Sequence, residues 1–480
     1  MSGKNQYKSK ALSFYNSSNF KTFWRDLLDA IGGNDKDFTS IKLSKAIFLL
    51  SVPMVLEMIW ESTFAIVDIY FVSKLGADAV ATVGITESLM TIVYAIGFGL
   101  SISTTALVSR RIGEKNHEGA SVTSVQAIIT GLFASFLIMI PGLLYAKELL
   151  ALMGANETMI NEGYYYPMIM LGGNGIIMLL FIINAVFRSA GDAALSMRVL
   201  LLANVLNMIL DPCLIFGLGP FPEMGIAGAA VATNIGRGIA VIYQFYLLFR
   251  GNGRIRLLLR HLKVNVQLIL KLVRLSLGGI GQNLVATSSW VFMVRIIADY
   301  GSDVLAGYTI AIRIIIFSLL PSWGLANAAA TLVGQNLGAR KPERAEKTVW
   351  TAGFANMILL GLFGIAFILY TETFMGFLTK EHSVIAAGSE CLQMISYGFL
   401  FYAMGMVMSQ AFNGAGDTTT PTVMNLLAFW CIEIPLAFLL AKKAGFDQQG
   451  VYMAIVLAES FLTILGIVLF RRGKWKLREV

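Results

Sequence analysis

Long apolar stretches alternate with short polar segments along almost the whole chain. From residue 43 onward, apolar stretches of about 20 or more residues recur, and each is long enough to cross a hydrocarbon core of roughly 30 Å as a helix. We place twelve spans near 44–72, 82–108, 122–145, 163–187, 195–217, 226–249, 268–298, 304–331, 348–370, 388–412, 420–441 and 450–470. The pattern therefore predicts an all-α integral membrane protein with twelve transmembrane helices.

The second half of the chain repeats the first at a fixed offset of 225 residues. The segment 97–120 aligns without a gap onto 322–345, and seven of the 24 positions are identical. The same offset carries the Ala-Gly-Asp sequence at 190–192 onto the one at 415–417. Each repeat contains six spans, an even number, so both repeats enter the membrane from the same side and are parallel. We expect two pseudo-symmetric six-helix lobes around a V-shaped central cleft, which is where transporters built from repeats hold their substrate.

The predicted boundaries of the spans divide the chain into five parts. They are a cytoplasmic N-terminal segment (1–42), an N-terminal lobe (43–250), a cytoplasmic connector (251–267), a C-terminal lobe (268–470) and a cytoplasmic tail (471–480). In the first part, apolar residues at i, i+3 and i+4 spacing predict an amphipathic helix at the membrane surface: Phe20, Phe23, Trp24, Leu27, Leu28 and Ile31. Leucines among the arginines of the connector suggest a short interfacial helix.

Composition and charge fit this reading. Hydrophobic residues make up 56% of the chain and charged residues 14%, whereas a soluble domain carries about 25% charged residues. The loops on the side of the termini, with their flanks, contain 16 Lys and Arg, and the loops on the other side contain five. By the positive-inside rule, this asymmetry predicts a multi-pass protein of the inner (plasma) membrane with both termini in the cytoplasm. The net charge of +8 therefore reflects orientation, and we expect no nucleic-acid partner.

Several kinds of chemistry have no sequence signal here. The three cysteines and three histidines show no metal-ligand or disulfide spacing. A nucleotide-binding GxxxxGK[ST] loop is also missing from the sequence. We therefore expect no cofactor and no resident metal, which leaves an ion gradient as the source of energy.

Three carboxylates lie on one face of the first span. At 100° per residue, Glu61 lies about 40° and Asp68 about 20° around the helix from Glu57. Pro53 precedes this stripe by one turn and is a candidate hinge, because proline can kink a helix. Two interpretations stay open. The acids form a protonatable, cation-attracting wall of a cavity, or they pair with Arg237 and Arg313 and only stabilise packing.

The motifs resemble those of one transporter family. The first span reads LSVPMVLEMIWESTFAIVDIYFVSKLGADAVATVGI, the fifth reads LANVLNMILDPCLIFGLG, spans four and ten end in RSAGD and NGAGD, and span six begins GIAGAAVAT. Together and in this order, they are similar to multidrug and toxic compound extrusion (MATE) transporters. The resemblance covers about 43–470 and is closest to the branch named for DNA-damage-inducible F proteins.

The resemblance implies an ion-coupling site in the N-terminal lobe, formed by Asp68, Asn207, Asp211 and Thr233. Asn207 and Asp211 are one helical turn apart, so their spacing independently puts them on one face. Asp68 would bind the driving H⁺ or Na⁺, with Na⁺ held at Asp68 and Asp211. That branch usually carries a neutral amide where this chain has Glu61, which adds an acid to the site.

Further acids and aromatics are candidates for the substrate cleft. The NorM branch uses acids in spans seven and ten, where this chain has Ala286 and Tyr402. We take Glu57, Glu433 and Tyr402 as candidate cleft residues.

The resemblance implies an antiporter that exports lipophilic, mostly cationic compounds by alternating access, coupled to H⁺ or Na⁺. Its expected partners are small organic cations and the lipid bilayer, and one chain contains the whole two-lobe pathway, so a monomer suffices. Three alternatives remain: a lipid-linked oligosaccharide flippase, a transporter that takes up a metabolite, and an intramembrane enzyme. A flippase favours a strongly cationic cleft, and an enzyme favours clustered aspartates or histidines at a span, whereas acids dominate within the spans here.

Overall fold

The computed structural model describes residues 17–33, 36–250 and 253–479, and the described residues form helices joined by short connections. The first half contains α1 Ser17–Gly32, α2 Leu43–Ser73, α3 Ala77–Gly113, α4 His117–Leu144, α5 Ala146–Leu152, α6 Glu157–Glu162, α7 Tyr165–Gly172, α8 Asn174–Ala190, α9 Ala193–Phe216 and α10 Gly225–Arg250. The second half contains α11 Val266–Ile297, α12 Ser302–Gly338, α13 Pro342–Leu369, α14 Thr371–Gly376, α15 His382–Ser396, α16 Phe399–Gly414, α17 Thr419–Lys443 and α18 Asp447–Arg471. Helices α2–α10 form one lobe and α11–α18 the other, so the predicted all-α fold with two lobes is confirmed.

The helices repeat at the offset found in the sequence. Helix α12 begins and ends 225 residues after α3, and α13 stands in the same relation to α4. The turns repeat as well. Gly76 and Gly301, which precede α3 and α12, have φ of 104° and 106°, and Lys115 and Arg340, which follow them, have φ of 59° and 57°. Because even these uncommon backbone angles recur, the sequence repeat is a structural repeat.

Among the described residues, ten helices are long and apolar enough to cross a membrane, and the number reaches twelve if each of two bent helix pairs is one span. The pair α7–α8 bends by 40° and the pair α15–α16 by 56°, where the sequence predicted two unbroken spans. The first bend lies at Gly173, where a Cβ atom would collide with the Asn234 side chain of α10. The Asn234 amide donates to the carbonyl of Ile169 at 3.1 Å, so a side chain satisfies backbone near the bend, as a membrane interior requires.

The two lobes meet at the ends of α3 and α12. We call this side of the bundle, where both described chain ends lie, the terminal face (36–43, 109–120, 253–266, 334–346 and 471–479). A Cβ atom on Gly113 would collide with the Gln335 carbonyl, and one on Gly338 would collide with the Arg110 carbonyl. Gly113 and Gly338 are 225 residues apart, so the contact is reciprocal about the pseudo-two-fold axis. The space between the lobes is therefore closed at the terminal face, while Glu87, in the opposite half of α3, is exposed.

A short segment preceding α2 joins the lobes at the same face. Phe38 is 1% exposed and packs against Gly191 of the N-terminal lobe. In the C-terminal lobe, Arg344 donates to the Phe38 carbonyl at 3.1 Å, and Lys341 donates to the Thr39 carbonyl at 2.9 Å. This segment, residues 36–41, therefore adds a second contact between the lobes.

The connector forms less helix than its leucines suggested. It contains a single 3₁₀ turn, Leu259–Leu262. Ile255 and Leu257 are buried before that turn, while Leu262 is exposed. Because these apolar side chains point in different directions, they do not form the single face that an interfacial helix needs.

The crossing of α3 and α12 predicts a position-specific effect on stability. Gly113→Ala places a methyl group against the Gln335 backbone, and overpacking of this kind costs about 1–3 kcal/mol. Gly84→Ala on the same helix is the matched control, because nothing lies within 4 Å of the position that its Cβ atom would take, and alanine favours a helix by about 0.5–1 kcal/mol over glycine. Thermal unfolding of the purified protein should show a lower midpoint for Gly113→Ala only. An equal or higher midpoint for Gly113→Ala would contradict the described contact.

Candidate functional site

Polar side chains connect α2 and α9, two neighbouring helices that both begin at the terminal face. The first connection is at Glu57, which is 2% exposed. Arg188 donates to Glu57 Oε1 at 2.7 Å and Ser196 donates to Oε2 at 2.9 Å. Both carboxylate oxygens are therefore satisfied, and the group is fixed.

The second connection lies one turn further along α2. Asn204 of α9 donates to Glu61 Oε2 at 3.2 Å, and Arg237 of α10 lies 3.5 Å from Oε1. The Glu61 side chain is 36% exposed. Unlike Glu57, this carboxylate is paired and also accessible.

The third connection joins two acids. Asp68 lies seven residues beyond Glu61 on α2, and Asp211 lies seven residues beyond Asn204 on α9. Each interval is about 10.5 Å along its helix. Because α2 and α9 run in the same direction, this equal spacing brings the two acids to the same level, and they interact electrostatically. Within the described parts of the chain, Asp68 makes no hydrogen bond and has no ion-pair partner.

Asp211 belongs to a short hydrogen-bonded chain. It is 0% exposed. The Asn207 amide is oriented so that each of its polar atoms has a partner. Its nitrogen donates to Asp211 Oδ2 at 2.7 Å, and its oxygen accepts from Thr233 Oγ1 at 2.9 Å. Asp211 Oδ1 has no partner among the described residues. Asn207, Asp211 and Thr233 thus lie together as the resemblance implied, with a buried carboxylate oxygen left over.

The charges of this region do not balance. Three carboxylates, those of Glu61, Asp68 and Glu87, interact with Arg237, and a fourth, that of Asp211, interacts with Asp68. Arg237 is close to Glu61, while no cation of the described residues lies within ion-pair distance of Asp68 or Asp211. A buried carboxylate without a partner is costly. Carboxylate, amide and hydroxyl oxygens are suited to binding a proton or a hard cation such as Na⁺, so the pair is able to bind and release a small cation.

The remaining candidates lie elsewhere. Glu433 is 7% exposed and accepts a hydrogen bond from Ser289 at 3.0 Å inside the C-terminal lobe. Tyr402 is half-buried in the same lobe, with its ring edge-to-face against Phe399 at 6.3 Å. The structure does not bring these residues to the acids of α2, and Glu57 faces its ion-pair partner rather than open space.

Pro53, the candidate hinge, is buried in a helix that continues through it without a break. Gly324 of α12 packs on the carbonyl of the next residue, Met54, where a Cβ atom would collide. The hinge role stays a prediction.

The partner of Glu57 corrects the sequence-based assignment. One of the two open interpretations paired the acids with Arg237 and Arg313, and Arg188 was assigned to a loop. Glu61 does lie beside Arg237, but Glu57 does not pair with either arginine. Helix α8 continues to Ala190, beyond the predicted end of the span at 187, so Arg188 lies in its last turn and reaches Glu57. Arg313 is exposed and forms no ion pair with a described residue.

Sequence reasoning also missed Ser196 and Asn204. Both are polar positions in α9, which also carries Arg198, Asn207 and Asp211. The spacing from Asn204 to Asp211 equals that from Glu61 to Asp68, and this equality was the available signal for a parallel pair of helices.

The two ion pairs of α2 should differ in their contribution to stability. Glu57→Ala leaves Arg188 largely buried without a partner, and breaking a buried ion pair costs about 3–5 kcal/mol. Glu61→Ala removes a longer, partly exposed pair and should cost clearly less. Midpoints of thermal unfolding, compared for the two variants, test this order. A smaller loss for Glu57→Ala than for Glu61→Ala would show that the first pair does not hold the helices together.

Comparisons with known proteins agree with this architecture. A protein-family model, MatE, matches residues 53–213 and 280–439. The two matched segments lie in the two lobes, so the family model matches each repeat once.

Relatives cover nearly the whole chain. It is 24% identical over 451 residues to the probable multidrug resistance protein YoeA of Bacillus subtilis (strain 168), covering 93% of this chain and 96% of that protein. It is also 24% identical over 445 residues to the probable multidrug resistance protein NorM of Thermotoga maritima, covering 92% of this chain and 94% of that protein.

A solved structure shows the same fold. A MOP superfamily transporter from Pyrococcus furiosus matches at 24% identity with a TM-score of 0.86, covering 92% of this chain and 98% of that chain. Together with the family model, which covers most of both lobes, these matches confirm the resemblance drawn from the motifs and exclude an enzyme. The chain belongs to the MatE family of membrane transporters.

Proposed function

We propose that this transporter exports lipophilic organic cations in exchange for H⁺ or Na⁺. The observation that carries the proposal is the pair Asp68–Asp211, in which a half-buried carboxylate interacts with a fully buried one and neither forms an ion pair with a described residue. The names of the relatives, probable multidrug resistance proteins, support the transport of drugs.

The coupling ion binds between α2 and α9. Asp68 makes no hydrogen bond with a described residue, and Oδ1 of Asp211 has no partner among them either. Asn207 orients the other oxygen of Asp211 and is itself oriented by Thr233. A proton shared by the carboxylates, or Na⁺ bound by these oxygens, lowers the charge of the pair from −2 to −1.

The conformation of the structure is the one that exchanges its contents with the outside. The positive-inside asymmetry places the terminal face in the cytoplasm. The lobes are closed at that face by the contacts at Gly113 and Gly338, whereas Glu61 and Glu87 lie beyond the closure and are accessible. In this state the coupling ion enters and the organic cation leaves.

Transport requires the lobes to open at the terminal face and close at the other. The ion then leaves to the cytoplasm, and the exposed acids bind an organic cation from the cytoplasm or the inner leaflet. Coupling requires that the two cations bind with different affinities in the two states, and competition for a limited number of carboxylates provides this difference. Both lobes are in one chain, so a monomer in the plasma membrane is sufficient.

Transport in proteoliposomes tests the proposal. Wild-type protein should move a fluorescent lipophilic cation when a pH or sodium gradient is imposed, and Asp68→Asn and Asp211→Asn should lose this gradient dependence because an amide cannot replace the ion-binding carboxylate. Glu433→Gln is the matched control. It removes a buried carboxylate from the other lobe, so gradient dependence should remain, and a weaker apparent affinity would mark Glu433 as a substrate contact. Normal coupling in both aspartate variants would refute the proposed site.

The orientation has its own test. Green fluorescent protein fused after residue 480 should fluoresce and alkaline phosphatase fused there should be inactive, because the tail is expected in the cytoplasm. Fusions after Lys380, in a loop on the other side, should give the reverse pattern. Active phosphatase at the C-terminus would invert the topology and with it the direction of export.

A further inference from the structure

Arg237 has a position that the ion site alone does not explain. It lies near the middle of α10, one helical turn after Thr233, which belongs to the Asp211 hydrogen-bond chain. An arginine within a membrane span is costly unless it is paired or functional. Its side chain is 11% exposed and, unlike Arg188, which is paired with Glu57, it interacts with several acids of this lobe at once.

The guanidinium is anchored loosely on one side. It lies 3.5 Å from Glu61 and 5.6 Å over the ring of Phe64, one turn along α2. A separation of 3.5 Å is longer than the 2.7–2.9 Å of a tight charge-assisted hydrogen bond. By contrast, Arg188 holds Glu57 at 2.7 Å. Arg237 is thus paired with Glu61 without being fixed to it.

The same guanidinium is within electrostatic range of the other acids. The charged and titratable groups that face it from the surrounding helices are Glu61 and Asp68 of α2, Glu87 and Tyr94 of α3, and Tyr166 of α7, with Asp211 of α9 behind Asp68. One cation therefore lies among acids that differ in exposure. Glu61 and Glu87 are accessible, whereas Asp68 is half-buried and interacts with the fully buried Asp211.

We propose that Arg237 is a tethered counter-cation that moves between Glu61 and Asp68 and thereby makes the coupling ion and the organic cation compete. When the ion is bound at Asp68 and Asp211, their attraction for Arg237 is weaker, so Arg237 stays with Glu61 and Glu87 and blocks them. When the ion leaves, the bare carboxylates of Asp68 and Asp211 attract Arg237. Glu61 and Glu87 are then free to bind an organic cation.

This inference rests on the proposed function and adds a means of exchange to it. The coupling ion and the organic cation need not bind at one site. Arg237 moves between Glu61 and Asp68, which lie about 10.5 Å apart along α2, so binding of one cation at one site changes the charge at the other. Arg237 is thus a positioning residue whose effect appears in the dependence of substrate binding on the ion. A purely structural role in packing α2 against α10 would not change that dependence.

Binding of tetraphenylphosphonium to purified protein, measured over a range of pH and of sodium concentration, is the test. In the wild type, the ion should weaken binding. In Arg237→Gln, Glu61 and Glu87 stay free when the ion is bound, so binding at saturating ion should strengthen by about tenfold, the change expected for one charge contact, and its ion dependence should flatten. Arg237→Lys keeps the charge and should keep most of the ion dependence. If Arg237→Gln shows the wild-type ion dependence, the inference is wrong.

The wild-type and Asp68→Asn proteins, measured alongside, separate this inference from the proposed function. If neither ion weakens wild-type binding, both fail. If the ion acts on the wild type through Asp68 and acts equally on Arg237→Gln, only the role of Arg237 fails.

Glu87→Gln provides a second test in case Arg237→Gln does not fold. It weakens the anchor on the accessible side, so Arg237 should move toward Asp68 and oppose the coupling ion. The ion concentration that half-maximally stabilises the protein against heat, without substrate, should rise several-fold. An unchanged concentration would overturn the inference.

Discussion

The structure depends on two carboxylates that lie at the same level of neighbouring helices inside the membrane part of the protein, neither of them in an ion pair with a described residue. Placing a charged residue at mid-bilayer costs about 2.5–3.5 kcal/mol on insertion scales, so the Asp68–Asp211 pair favours any small cation that lowers its charge. The neighbouring connections supply the constraint. Glu57 is fully paired with Arg188 and Ser196, and Glu61 with Asn204 and Arg237. These contacts set the register of α2 against α9, which keeps the two aspartates from turning away from each other.

The duplication gives the two lobes the same fold, but only the N-terminal lobe carries the acidic site. The reciprocal contacts of Gly113 and Gly338 close both lobes on one another at the terminal face. At the 225-residue offset, however, Asp68 corresponds to Met293 and Asp211 to Leu436. The C-terminal lobe therefore has the same helices without this polar connection. Binding of a small cation changes the interior of one lobe, and the shared closure at the terminal face couples that change to the other.

Much of this was predictable from the sequence. The apolar stretches are long and the repeat is exact in spacing, so the number of spans and the two lobes followed directly. The acidic face of α2 and the Asn207–Asp211 pair followed from helical periodicity. The bends at Gly173 and Gly398 did not, because a glycine in an apolar stretch is compatible with both a straight and a bent helix. The pairing of Glu57 with Arg188 was missed since helix ends are poorly defined by hydropathy, and the bridging segment 36–41 was missed since its contacts join residues about 150 to 300 positions apart.

The most direct test of the central claim is whether an organic cation displaces a bound ion from the Asp68–Asp211 pair. Tetraphenylphosphonium would be titrated into purified protein in weakly buffered solution, while the pH and the amount of bound radioactive sodium are recorded for the wild type and for Asp68→Asn. The account predicts release of protons or of sodium from the wild type as the organic cation binds, and no release from the variant. Saturable binding of the organic cation to the wild type without release of either ion would contradict it.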